Sequence, residues 1–271
     1  MIHPQNLKVE KWEGFRHHYY AHRGLHDAQN NIPENSMAAF LKAVENGYGI
    51  ELDVQLTKDG TPVIFHDVKT GRLLRDEKAV VVNKVLTELT LEELQRYHLL
   101  TSKEQVPLFE DVLKLVDGKV PLIVELKVAN SSTDINALCS KADWLLQKYR
   151  GFYCVESFHP ACVSWYRKNR PEIIRGQLAE HPNTQAKGKM FVATRIMQYL
   201  LTNFITRPNF IAYNHHNRHN LSRMLCHRLF KNPAIAWTIR SKQELEDNRK
   251  YFDYFIFEHF IPNVESSSEE Q

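Results

Sequence analysis

Eight short apolar runs alternate with amphipathic stretches along this chain, and that alternation restricts its fold more than any other feature. The runs are Tyr19–His22, Gly49–Val54, Leu122–Leu126, Phe152–Ser157, Ile173–Leu178, Phe210–Tyr213, Ile235–Ile239 and Tyr254–Phe257. Continuous apolar runs of this length predict strands buried on both faces, as parallel sheets require. Eight βα units can close into a TIM (β/α)8 barrel or spread into an open doubly wound sheet. Periodicity alone does not separate the two. The 271 residues, 43% of them apolar, suffice for one large core, and no repeat or low-complexity linker divides them.

The intervening stretches carry helix punctuation. "SMAAFLKAVENG" has Ser36 at its start and Gly47 at its end. "LTLEELQRY" has Thr90 with Glu93 three residues on, a capping box. Further helices are expected to end at Gly118 and Gly151, and another to begin at Ser241. One segment breaks the alternation: in "ELDVQLTKDGTPVIFHD", Asp59-Gly60 is a hairpin signal, so Thr61–Phe65 should return antiparallel to the second strand. The residues that follow, 68–106, then read as a small insertion of loops and a short helix on the rim. The domain reading is a 1–15 extension, a barrel over 16–261 and a disordered acidic tail over 262–271.

Composition narrows the partners. Net charge is +3, too small an excess to argue for nucleic acid and compatible with an anionic substrate. No run is long enough for a membrane span, and the N-terminal residues show no apolar signal region. Cys139, Cys154, Cys162 and Cys226 lack zinc or redox spacing and read as reduced, mostly buried thiols, so a cytoplasmic setting is expected.

Chemistry-bearing residues gather at strand C-terminal ends, where parallel barrels place their sites. The first strand delivers His22 and Arg23. The second carries Glu51 and Asp53, whose i, i+2 spacing puts both carboxylates on one face. Paired carboxylates repel unless a cation or proton lies between them, and hard oxygen ligands favour Mg²⁺ or Ca²⁺. The return strand ends at His66-Asp67. "VPLIVELK" supplies Glu125, a third candidate ligand, and Lys127, which with Arg23 can face an anion. A cation site, cationic donors and two histidines form the set that phosphodiester hydrolysis needs.

"AHRG", "PENS", "IELDVQLTKDGTPVIFHD" and "VELK" resemble the glycerophosphodiester phosphodiesterase family, densely over Ala21–Asp67 and on through Glu125. Beyond that the likeness thins to "ESF", "AWTI" and "YFIFEHF". The resemblance implies a TIM barrel with an insertion after the second strand. It also implies release of glycerol 3-phosphate and an alcohol, with a divalent metal on Glu51, Asp53 and Glu125. By the same likeness His22 and His66 are the acid/base pair, Arg23 and Lys127 contact phosphate, Glu34 supports the site and Trp237 packs on substrate. The last strand departs from the family pattern at Phe257-Glu258, as does Arg240 after "WTI".

Two rival functions remain in view: a lysophospholipase D or phosphoinositide-type lipase on a related barrel, and a non-catalytic phosphodiester-binding protein. The lipase reading rests on the stripe Ala193, Ile196, Met197, Leu200, Leu201 and Phe204, for which core packing is the better expectation. Paired histidines argue against mere binding. "HHNRH" at His215–His219 reads as a solvated loop and helix start rather than a metal patch.

Overall fold

The computed structural model describes residues 9–181 and 195–263. Its strand order is that of a (β/α)8 barrel, eight parallel strands plus one strand folded back on the second. In chain order the strands are β1 (Tyr20–His22), β2 (Gly49–Leu56), β3 (Pro62–Ile64), β4 (Leu74–Arg75), β5 (His98–Leu99), β6 (Leu122–Leu126), β7 (Tyr153–Ser157), β8 (Arg175–Ala179), β9 (Phe210–Asn214), β10 (Ala234–Ile239) and β11 (Tyr254–Phe257). All eight predicted apolar runs are strands, with ends shifted by two residues at most. Two compact units make up the chain: Tyr20–Tyr153, and the described residues before and after it.

In the first unit β2 is the organiser. It pairs in parallel with β1, setting His22 beside Glu51, and with β6, setting Asp53 beside Glu125. Ile50, Leu52 and Val54 alternate with these acids and are fully buried on the opposite face. Beyond Asp59-Gly60, β3 returns antiparallel as the hairpin signal predicts. Gln55 fastens the hairpin exit by donating to the carbonyls of Phe65 and Asp67 at 2.7 and 3.0 Å.

Helix α1 (Met37–Glu45) starts where Ser36 Oγ accepts from the Ala39 amide at 3.1 Å. Losing such a cap typically costs about 1 kcal/mol. Its apolar face buries Ala39, Phe40 and Ala43. Helix α2 (Leu91–Leu94) carries the predicted Thr90–Glu93 capping box. Helix α3 spans Phe109–Val116, and α4 spans Ile135–Leu146, stopping five residues short of Gly151.

Residues 68–106 hold the β4–β5 ribbon, α2 and two single-turn helices. They enclose a small core of Leu73, Leu74, Leu86, Leu89, Leu94, Leu99 and Val106, joined to Val63 and Phe65.

In the second unit β7, β8, β9, β10 and β11 pair in parallel, each with the next. A 3-10 turn at Val9–Phe15 lays Trp12 against the first residues of two of these strands. Its ring stacks on Tyr254 at 5.5 Å and meets Phe210 edge-on at 5.8 Å. The four cysteines are buried and unbridged.

The stripe assigned to core packing is corrected here. Leu200 is buried, but Ile196, Leu201 and Phe204 are exposed. The left-handed backbone at Leu200, φ 54°, interrupts the helix, so the spacing never becomes one face. Ala193 and the acidic tail from residue 264 lie outside the described residues.

Candidate active site

The site in the first unit begins with a turn. After β1, Arg23 adopts φ 57° and Gly24 φ 80°. A Cβ on Gly24 would lie 2.9 Å from the Ala39 backbone and Cβ, so only glycine fits against α1. The turn aims the Arg23 amide at Glu51 Oε2, 3.1 Å away. The loop returns through Asn35, also left-handed at φ 53°, whose amide donates to the Arg23 carbonyl at 2.8 Å. Asparagine tolerates this conformation better than most residues. Its side chain donates to Asp53 Oδ2 at 2.7 Å.

Glu51, Asp53 and Glu125 are buried, and each places a carboxylate oxygen within 4.8 Å of the other two. At an effective dielectric of about 20, two ionised carboxylates at this distance repel by about 3–4 kcal/mol. Positive charge answers them unevenly. Lys127 Nζ lies 2.9 Å from Glu125 and 3.2 Å from Asp53, and Arg23 Nε lies 3.4 Å from Asp53. Burial alone would raise the Asp53 carboxyl, but Lys127, His66, Arg23 and the Asn35 hydrogen bond hold it well below the usual range. Burial pushes Glu125 up, and the neighbouring Asp53 adds to this despite Lys127. Burial opposes the charge of Lys127 too, yet the surrounding carboxylates hold its ammonium above its ordinary value.

Three acids thus meet two cations, and buried Asp53 Oδ1 has the Lys127 ammonium at 3.2 Å but no well-formed hydrogen bond. An all-oxygen donor set short of positive charge fits a hard metal ion.

The two histidines flank this cluster. His22 Nε2 is 3.9 Å from Glu51 Oε2. His66 Nδ1 is 2.7 Å from Asp67 Oδ1. An ionised carboxylate only accepts, so Nδ1 carries the proton and Nε2 is left for chemistry. Asp67 is held in turn by Arg72, whose Nε donates at 2.7 Å. The same guanidinium donates to both oxygens of Glu34, which also accepts from Arg23 at 2.6 Å. Burial would raise both acids; hydrogen bonds from His66 and Arg72 to Asp67, and from Arg72 with the charge of Arg23 to Glu34, outweigh it and lower them.

The structure therefore brings together His22, Arg23, Glu34, Glu51, Asp53, His66, Glu125 and Lys127. Trp237 lies on β10 in the second unit, edge-on to Phe158 at 5.6 Å. Sequence reasoning missed three contributors. Asn35 and Asp67 were adjacent to chosen residues and carry polar side chains the loops need. Arg72 had no local signal, since it meets Glu34 across 38 positions.

The described fold is shared with solved structures. A phosphodiesterase from Oleispira antarctica, in complex with the product sn-glycerol-3-phosphate, superposes with a TM-score of 0.69 at 19% identity, covering 89% of this chain and 92% of that one. A glycerophosphodiester phosphodiesterase from Parabacteroides distasonis gives 0.67 at 20% identity, covering 89% and 92%. At the sequence level, residues 22–251 match the model of the glycerophosphoryl diester phosphodiesterase family, and the chain belongs to that family. A glycerophosphodiester phosphodiesterase from Bacillus altitudinis is 32% identical over 163 residues, 57% of this chain. The chain spans less than two thirds of the curated relatives, 63% of that protein and 62% of one from Bacillus subtilis.

Proposed function

We propose that this chain is a metal-dependent glycerophosphodiester phosphodiesterase, releasing glycerol 3-phosphate and an alcohol such as choline, ethanolamine or glycerol. The observation that carries the reading is the buried Glu51–Asp53–Glu125 cluster set between two histidines and two cationic side chains. Those carboxylates would hold Mg²⁺ or Ca²⁺, which would supply charge neutralisation at the phosphate. Arg23 and Lys127 bind the phosphate oxygens. His66, with its Nδ1 proton fixed on Asp67, accepts a proton at Nε2 from the attacking hydroxyl or water, and His22 protonates the leaving alkoxide. Residues 16–261 form the phosphodiesterase barrel in this reading, with 68–106 as its insertion, and the protein works in the cytoplasm on small phosphodiesters. Among the described residues no helix is long and apolar enough to cross a membrane.

Incubation with glycerophosphocholine and Mg²⁺ or Ca²⁺, read by release of glycerol 3-phosphate, tests the activity. Undiminished turnover in excess EDTA would remove the metal; binding without turnover under every metal condition would leave only the binding reading.

A further inference from the structure

The second unit carries a surface that the phosphodiesterase reading does not use. Residues 195–243 contain eight lysines and arginines and not one aspartate or glutamate, whereas the rest of the chain has 27 basic and 32 acidic residues. The segment thus carries net positive charge while the rest of the chain is net negative. The same segment holds eight large exposed apolar side chains: Ile196, Tyr199, Leu201, Phe204, Ile205, Leu221, Leu225 and Leu229.

These residues come from two adjoining stretches. Asn220, which caps the Leu221–Met224 helix, donates to the Gln198 carbonyl at 3.4 Å, and Cys226 lies against Asn203. Leu221, Leu225 and Leu229 are four residues apart on a helical run, so they line one face, while Ser222, Arg223 and Cys226 are buried behind them. Arg207, Arg228 and Lys231 are exposed in the same segment.

From this we infer that the segment is a docking surface for an anionic phospholipid bilayer. Leucine, isoleucine and phenylalanine side chains suit insertion at the headgroup boundary, and the exposed Arg207, Arg228 and Lys231 suit negative headgroups, with Asp253, 3.1 Å from His227, as a nearby acid. Nucleic acid would be served by the charge but not by the exposed aliphatic side chains, which find no partner in a phosphate backbone. The inference is independent of the catalytic reading, because none of these side chains belongs to the acidic cluster or its histidines.

The test is co-sedimentation of the full chain with phosphatidylcholine vesicles, with and without phosphatidylserine, at low and high salt. The wild type should partition onto the serine-containing vesicles, less at high salt. Each cation near such a surface contributes about fivefold, so Arg228→Glu/Lys231→Glu should weaken partitioning at least about 25-fold. Leu225→Glu/Leu229→Glu should weaken it more than about tenfold on the same vesicles. Both pairs should retain the wild-type thermal midpoint and circular dichroism spectrum, which report folding. The proposal fails if the wild type does not sediment, or if it sediments equally with both lipids and both salts. It also fails if the wild type binds a single-stranded oligonucleotide but not vesicles. A wild-type dimer that Leu225→Glu/Leu229→Glu converts to monomer, without vesicle binding, would assign the face to self-association instead.

Discussion

Arg72 grips Glu34 through two nitrogens of one guanidinium, at 2.5 and 2.7 Å, although the residues are 38 positions apart. A third nitrogen holds Asp67, and Asp67 holds His66. One side chain therefore links the loop after β1 to the exit of the β2–β3 hairpin. Arg72→Met should free Asp67 and let the His66 ring turn. Charge-assisted hydrogen bonds are worth about 1.5–3 kcal/mol each, so kcat should fall roughly 10- to 150-fold. Metal dependence should be unchanged, because Arg72 touches none of the three clustered acids. Arg72→Lys should restore only part of the rate, since one ammonium cannot span both carboxylates.

Removing either imidazole tests the acid/base assignment directly. His22→Ala and His66→Ala should each lower kcat by about 10²–10⁴-fold while the thermal midpoint stays near that of the wild type. Near-normal kcat at saturating metal in one variant would take that histidine out of the reaction.

Glu125 and Lys127 are 2.9 Å apart yet should fail differently. Glu125→Gln should raise the metal concentration needed for half-maximal activity. Lys127→Met should leave that concentration close to wild type and lower kcat/KM roughly 10- to 150-fold by loss of a charged phosphate contact. Metal titrations of the two variants, followed by substrate titrations at saturating metal, separate ligand from clamp. Wild-type kcat/KM in Lys127→Met would reduce the clamp to Arg23.

Acid should act on the Arg72 clamp with a definite sign. Glu34 and Asp67 are both held below their ordinary values in the folded chain. Their contribution to stability is full above the unfolded carboxylate range, about pH 4, and is lost as pH falls through the lowered folded values. Arg72→Met should therefore narrow its stability deficit as pH drops from 6 toward the acid limb. Thermal midpoints of both proteins across that range measure it; a deficit that grows with acidity would contradict the assignment.

Much of this was legible in the sequence for one physical reason. A strand buried on both faces must be apolar, so Glu51, Asp53 and Glu125 stand out against Ile50, Leu52 and Val124. Their alternation with apolar residues also fixes the face they share. The hairpin was equally plain, because Asp59-Gly60 supplies the positive φ at Gly60 that the turn requires. What stayed hidden depends on distant encounters. Arg72 sits in a single 3-10 turn with no periodicity of its own, and its partners are set by how a loop and a hairpin meet. The 195–206 stretch failed for the converse reason: its spacing was helical, but with the break at Leu200 most of its apolar residues lie outward.

The small core beneath the β4–β5 ribbon ties His66 and Arg72 to a common fate. Phe65 precedes one and Leu73 follows the other, and both are buried in that cluster. The Val82 and Leu100 amides, bonded to the Leu74 and Leu73 carbonyls, belong to the same unit. A local opening of this cluster, well short of global unfolding, would loosen the histidine and its arginine support in one event. Amide exchange in residues 68–106 should then share one opening free energy, and a phosphodiester seated on His66 should slow all of it together.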